Sequence, residues 1–274
     1  MTIQALRAPF RMFVVCLLAA SLMHAMPARA DDYTDIWYAF PPESEAGWGV
    51  NMIQSQDFIF ATFFVYGPAP SKTPIWYAGN LARAGNSFSG GLYQTTGTGI
   101  GAPWNPADHS VAQVGTATFT PTDATSGILV YTVNGILVTK AIVRQTLTPI
   151  ALAGTYFGTA VVVHAGCTDA TQNGTVLTDF DPTVAQSSSG QLQFDFLYAG
   201  TESCTFAGNY TQQGQLFRVP LATYVCTNGT TTTVSTTATI YEIKSTSIGL
   251  EGKWFVQNVG GGCTEDAKFA TVFP

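Results

Sequence analysis

The stretch SEAGWGVNMIQSQDFIFATFFVYG, residues Ser44 to Gly67, sets Trp48 between two glycines and then runs through two apolar segments interrupted by one acidic residue, Asp57. Its second segment, FIFATFFVY, is rich in the aromatic and β-branched residues that favour strands. In a strand, successive side chains point to opposite faces. Phe58, Phe60, Phe64 and Tyr66 therefore share one face, and Ile59, Phe63 and Val65 share the other. Both faces are apolar, whereas a strand buried on one side alone alternates with polar residues. One face is expected to line a barrel interior while the other packs on the second half of the chain. Two other readings stay open: an exposed binding or oligomer surface, and a lipid-facing strand of about 10 residues in an outer-membrane barrel.

Segments of the same character recur outward from this stretch. GWGVNMIQ, TPIWYAGNL, SFSGGLYQT, VAQVGTATFT, GILVYTV and ILVTKAIVRQ are separated by turn formers. Asn134-Gly135 is the strongest hairpin signal, because both residues accept the positive φ of a type I′ turn. With DIWYAF as a short opening strand, about eight strands are expected between Asp35 and Leu147. After the N-terminal segment nothing carries a helical stripe, so the fold class is all-β.

The second half repeats the plan of the first. FATFFVYG at Phe60 is similar to FDFLYAG at Phe194, SFSGGLYQTTG at Ser87 to TFAGNYTQQG at Thr205, and TATFTPTDATSGILV at Thr116 to TATIYEIKSTSIGLE at Thr237. These matches predict two tandem small antiparallel β-barrel or sandwich domains related by a diverged internal repeat. They span residues 31–148 and 149–274, with the boundary at Pro149. The segment PAPSKTPIWYAGNLARAGN has no counterpart before ESCTF, which suggests an additional hairpin in the first half.

The N-terminus places the chain in a compartment. Arg7 and Arg11 precede an apolar run from Met12 to Leu22, and Ala28-Arg29-Ala30 has the small-x-small form of a cleavage site. Met1 to Ala30 reads as a secretory signal peptide, so the mature protein is expected to be secreted or periplasmic. A membrane anchor needs a longer apolar core, and no transmembrane helix is expected after cleavage. Three of the 11 basic residues (Arg7, Arg11, Arg29) leave with the signal, and eight remain against 17 acidic ones. That balance excludes nucleic acid and anionic lipid as partners. Charged residues make up 10% and hydrophobic ones 46%, enough to build a large core.

Four cysteines remain, an even number in an oxidising compartment. Cys204 and Cys226 bracket two strands around Gln212-Gln213-Gly214, so their ends are expected to meet across an antiparallel pair. Cys167 with Cys263 would then tie the start of the second half to its end, stabilising it by about 4 kcal/mol in the chain-entropy model. No two cysteines have the spacing of a structural zinc site, and no metal is expected.

Together ESEAGWGVN, IFATFFVYG, PIWYAGN, FSGGLYQTTG, VGTATF, YTVNG and KAIVRQ resemble, in this order, a group of uncharacterised secreted proteobacterial proteins that open on Glu-Ser-Gly-Trp-Gly. The resemblance covers Trp37 to Leu147. ESCTFAGNYTQQGQ and GGCTEDAKF look like the cysteine-containing β-domain that often follows in that group. Glu45 and Ala46 intervene before Gly47-Trp48-Gly49, a departure from the usual opening. The resemblance implies a bacterial exported protein and transfers no catalytic residue.

Catalytic chemistry leaves no trace in the residue pattern. His109 and His164 have no partner at metal or triad spacing, and neither H-E-x-x-H nor G-x-S-x-G occurs. GTGIGA at Gly97 precedes Pro103-Trp104-Asn105-Pro106, so no helix N-terminus follows to hold a pyrophosphate. No cofactor is expected. Glu202, Glu242 and Glu251 are expected at the surface. The candidate site is aromatic: Trp48, Trp76, Tyr77, Tyr93 and Trp104, gathered at one barrel mouth to stack on an apolar or sugar-like ligand. In the rival reading Trp48 plugs the barrel end. Lys140 and Arg144 share a face of one strand and are expected at a solvated edge; if they turn inward they require carboxylates such as Glu43 or Glu45, or an anionic ligand. A non-enzymatic exported binding module therefore leads, followed by a structural or adhesive surface component, then an outer-membrane barrel or exported enzyme.

Overall fold

Alternation of large apolar and polar residues dictates the first sheet. In the computed structural model, which describes residues 31–67, 70, 72–198 and 202–274, eight strands form a closed antiparallel barrel. They are β1 (Asp35–Ala39), β2 (Gly49–Ser55), β3 (Phe58–Tyr66), β4 (Pro74–Ala84), β5 (Ser87–Thr96), β6 (Ser110–Pro121), β7 (Ser126–Val133) and β8 (Ile136–Arg144). The expected signal peptide, Met1–Ala30, lies outside the described residues. Among the described residues no helix is long and apolar enough to cross a membrane.

Each strand pairs with the next, and β8 returns to β1 through Trp37↔Arg144 and Ala39↔Ile142. Asn134 and Gly135 take the positive φ that the β7–β8 hairpin requires. Trp37, Val50, Met52, Ile59, Phe63, Leu81, Phe88, Leu92, Phe119 and Leu129 fill the interior. Outside, Ser87 and Ser89 on β5 and Thr116, Thr118 and Thr120 on β6 alternate with buried residues. On β5 and β6 the outward residues are thus polar, unlike the apolar outer band of a bilayer-spanning barrel.

The other face of β3 corrects the first expectation. Phe60 is 41% exposed, Phe64 50% and Tyr66 54%, and Trp76 beside Phe64 on β4 is 50% exposed. The second half of the chain does not cover them.

The second sheet comprises β9 (Gly154–Thr155), β10 (Phe157–Ala165), β11 (Gly174–Asp179), β12 (Thr183–Gln186), β13 (Gln191–Tyr198), β14 (Glu202–Asn209), β15 (Thr211–Gln213), β16 (Leu216–Asn228), β17 (Thr231–Ser245), β18 (Leu250–Val259) and β19 (Cys263–Val272). Tyr156 alone separates β9, which pairs with β12, from β10, which pairs with β19. This broken strand touches both ends of the meander and curls the sheet on itself. Its own core holds Phe180, Phe194, Phe206, Phe217, Trp254 and Phe269.

Strand order now accounts for the internal repeat. β1 corresponds to β9 with β10, and β2 to β8 correspond to β12, β13, β14, β16, β17, β18 and β19. The first and third sequence matches fall on corresponding strands. The second aligns β5 with β14, which stands in the place of β4. The additional hairpin inferred for the first half is therefore corrected: β16 supplies the missing strand, and that match is displaced by one. Both cysteine pairings are as expected, with Cys204 opposite Cys226 between β14 and β16 and Cys167 joined to Cys263.

One difference between the sheets positions the site. β2 pairs with β3 from Phe58 to Phe64. Its counterpart β12 is only four residues long and covers β13 from Leu192 to Asp195. Phe196 to Tyr198 have no β12 partner, so the second sheet is notched near one end.

Where the two halves meet, Asp35 and Arg144 form an ion pair of 3.1 Å with side chains 6% and 2% exposed. Arg144 also donates to the carbonyls of Ala124 and Thr34, and Asp35 accepts from the backbone N–H of Gln215 in the β15–β16 turn. Gly214 (φ +61°) sits against Asp35 and Arg144, where a Cβ would collide with the carboxylate. The solvated edge expected for Arg144 is thereby corrected: it is buried and its charge is matched. Lys140 also turns inward and binds Glu45 at 2.6 Å, and both partners keep more solvent, with side chains 15% and 45% exposed. We predict that Arg144→Met, which strands a buried carboxylate, lowers unfolding free energy by about 3–5 kcal/mol. Lys140→Met should cost under about 1 kcal/mol. Urea denaturation of the two variants measures both, and equal losses would contradict the difference in burial.

Candidate functional site

The first barrel's candidate residues divide between its inside and its outside. Trp48, Tyr77 and Lys140 lie inside, near the end that carries the β1–β2 loop. Trp48 is 9% exposed, donates from Nε1 to the Tyr131 hydroxyl at 3.1 Å, and has the Lys140 ammonium 5.1 Å from its ring centre. Gly47 (φ +87°) lets the chain turn under the Tyr66 hydroxyl just before Trp48 enters the barrel. Burial raises the pKa of Tyr131, the Trp48 hydrogen bond acting against it and the charge of Glu45 with it. Trp76 projects outward, and Tyr93 folds back over Gly91. Trp104 lies on the β5–β6 loop, tilted 6.0 Å from the His109 ring. Arg144 is at the opposite end. Trp48, Tyr77 and Lys140 are thus brought together, and the other four of the seven lie elsewhere.

The notch in the second sheet opens on different chemistry. A cavity of about 200 Å³ occupies the interior beside it, bounded by His164 on β10, Tyr198 on β13, Glu202 on β14, Tyr224 on β16 and Glu265 on β19. Period-2 alternation brings each there. His164 follows Ala160 and Val162 on the buried face of β10, Tyr198 follows Phe194 and Phe196, and Glu265 lies between Cys263 and Ala267. Cys226, tied to Cys204, contributes a disulfide wall, and Thr233 and Val259 complete the rim.

Glu265 is 1% exposed and held from two sides. Trp254 Nε1 donates to its Oε1 at 2.5 Å, and His164 Nε2 lies 3.4 Å from its Oε2. The Tyr198 hydroxyl is 3.3 Å from the same imidazole nitrogen. The Glu265 hydrogen bond holds the His164 pKa above its ordinary value, against the opposing effect of burial. Burial, reinforced by the charges of Glu265 and Glu202, drives both Tyr198 and Tyr224 upward, so both stay protonated donors. Tyr224 is 1% exposed, and among the described residues its hydroxyl hydrogen-bonds only the Cys204 sulfur, at 3.7 Å; sulfur is a weak acceptor. Glu202 is half-buried, and no described side chain or backbone group partners its carboxylate.

One expectation is corrected here: Glu202 lines a cavity instead of an open surface. His164, without a partner at metal or triad spacing in the sequence, meets Glu265, 101 positions further along the chain. Of the other two glutamates, Glu242 pairs with Lys253 at 2.5 Å and Glu251 is exposed. The missed signal was a carboxylate on the apolar face of CTEDAKFAT: a buried acid must be partnered, and that demand points to an imidazole or indole across the sheet.

Comparison with known proteins adds no assignment. No family model and no curated protein matches the chain. Among solved structures it is similar to a protein of unknown function from the DUF3598 family of Nostoc punctiforme, at 12% identity and a TM-score of 0.29, over 88% of this chain and 96% of that one. A TM-score this low carries no argument.

The His164–Glu265 contact makes stability depend on pH. Because the folded pKa of His164 is raised, the contribution is complete below the unfolded value of 6.5 and is lost as pH rises through the folded value. We expect Glu265→Gln to lower the His164 pKa in an NMR titration. The stability gap between wild type and variant should shrink on the alkaline side. An unmoved His164 pKa would show that the pair does not form.

Proposed function

We propose that this chain is an exported binding module that takes a small ligand into the notched end of its second β-sheet. The observation that carries this reading is the cavity itself. Small-ligand sites are concave, with a few polar groups converging among apolar walls. Here His164, Tyr198, Glu202, Tyr224 and Glu265 converge above a core of Phe196, Phe206 and Trp254. At about 200 Å³ the cavity is smaller than the roughly 300–1,000 Å³ of drug-sized sites, which suits a compact molecule. Export is supported by the signal-like N-terminus and by two disulfides, which persist in oxidising compartments.

The exposed row of Phe60, Phe64, Tyr66 and Trp76 favours a second reading, a surface component that associates through this face. Calorimetric titration with small polar compounds separates the two. Thr233→Trp, which fills the cavity, should abolish binding, and Phe64→Ser with Trp76→Ser should leave it intact. Binding that survives Thr233→Trp and disappears with the outer-face pair would move the site to the first barrel.

A further inference from the structure

We infer that the ligand of this cavity is a small organic cation bearing an ammonium group. The inference rests on the binding reading above and adds the chemical class. Among the eight lining residues are two carboxylates and no lysine or arginine. The carboxylates differ in what they still need. Glu265 accepts from the Trp254 indole N–H and has His164, when protonated, as its counter-charge. Glu202 has neither among the described residues, and a half-buried carboxylate without a partner calls for a cation. Tyr198 and Tyr224 add phenol rings, whose faces attract cations. The nearly unsatisfied Tyr224 hydroxyl can hydrogen-bond a ligand's polar tail. An anion would meet the charges of Glu202 and Glu265 with only His164, already facing Glu265, to offset them.

The arrangement also separates an organic cation from a metal ion. Metal ligands must converge within a few ångströms. Among the described residues the only three ligating atoms lying within 4.8 Å of one another belong to Glu202, Cys204 and Cys226. Both sulfurs are committed to the disulfide. Glu202, His164 and Glu265 do not converge in this way, so the negative charge is spread around a space of molecular size. Protonated His164 adds a positive charge to this space, faced by Glu265, Tyr198, Tyr224 and Glu202. Cation affinity should therefore rise as pH rises and His164 loses its proton.

The test is an NMR titration of the full mature chain with methylammonium, ethanolamine, choline, glycerol, acetate and calcium chloride, following the His164 and Val259 signals. The ammonium compounds should move these signals saturably, and glycerol and acetate should not. Glu202→Gln, which keeps shape and removes charge, should weaken the ammonium compounds about tenfold, the share of one charge-assisted contact. Tyr224→Phe, which keeps the ring, should retain most of the affinity. Equal binding of glycerol and ethanolamine, unchanged by Glu202→Gln, would overturn the cation assignment and leave the binding site standing. Calcium that displaces the ammonium compounds would overturn it in favour of a metal. Silence of both signals toward every compound would overturn the site and the cation together.

Discussion

The buried Asp35–Arg144 pair is the constraint around which the molecule is arranged. It joins the first and last strands of the barrel at the residue where they close, and the same carboxylate receives the β15–β16 turn of the second sheet. Burying two charges is costly unless their remaining hydrogen-bonding positions are met. Here the guanidinium reaches two carbonyls and stands 5.0 Å from the centre of the Trp37 ring, and the carboxylate accepts two backbone N–H groups. One network therefore serves both barrel closure and attachment of the second sheet. The glycine at position 214 lets the turn come close enough to take part.

The two sheets follow the same meander and differ in how their ends are finished. In the first, full-length β2 seals the wall, and Trp48, Tyr131 and Lys140 fill the end through which a ligand would enter. In the second, the chain after β10 turns back as β11 along the outer edge of β10 and returns to the wall only as the short β12. The tryptophan of this half, Trp254, stays in the core and reaches only the Glu265 carboxylate at the cavity wall. His164 and Tyr198 meet through side chains where strands would otherwise pair. The rim is held by covalent and local bonds: Cys167 to Cys263, the Thr168 N–H to the Gly261 carbonyl, and the Cys167 N–H to Asn173 Oδ1. The cavity thus lies where the wall is shortest, beside the end of β12.

Features that depend on neighbouring residues were legible in the sequence. Alternation marked the eight strands, Asn134-Gly135 marked its hairpin, and cysteines bracketing a strand pair marked a disulfide. Glu45 could be named for Lys140 because an inward lysine needs a carboxylate. Features that depend on distant strands were not legible. Nothing near Arg144 tells that Asp35, 109 positions away, will bury it, and the outer faces of Phe60 and Phe64 read as buried because apolarity alone does not say what covers a sheet. The repeat misled by one strand because Thr-rich and Gly-rich strands resemble one another more than their positions do. His164 and Glu202 were visible, but their site exists only where β12 stops, and strand ends are set by pairing across the sheet.

The claim that the second sheet is hollow where the first barrel is plugged is tested most directly by the electron density of a crystal structure at a resolution that shows ordered solvent. Ordered molecules are expected between His164, Glu202 and Tyr224, with β12 ending near Gln186 and a dry first interior behind Trp48. Side chains filling the space between His164 and Glu202, or a β12 extended alongside Tyr198, would contradict it.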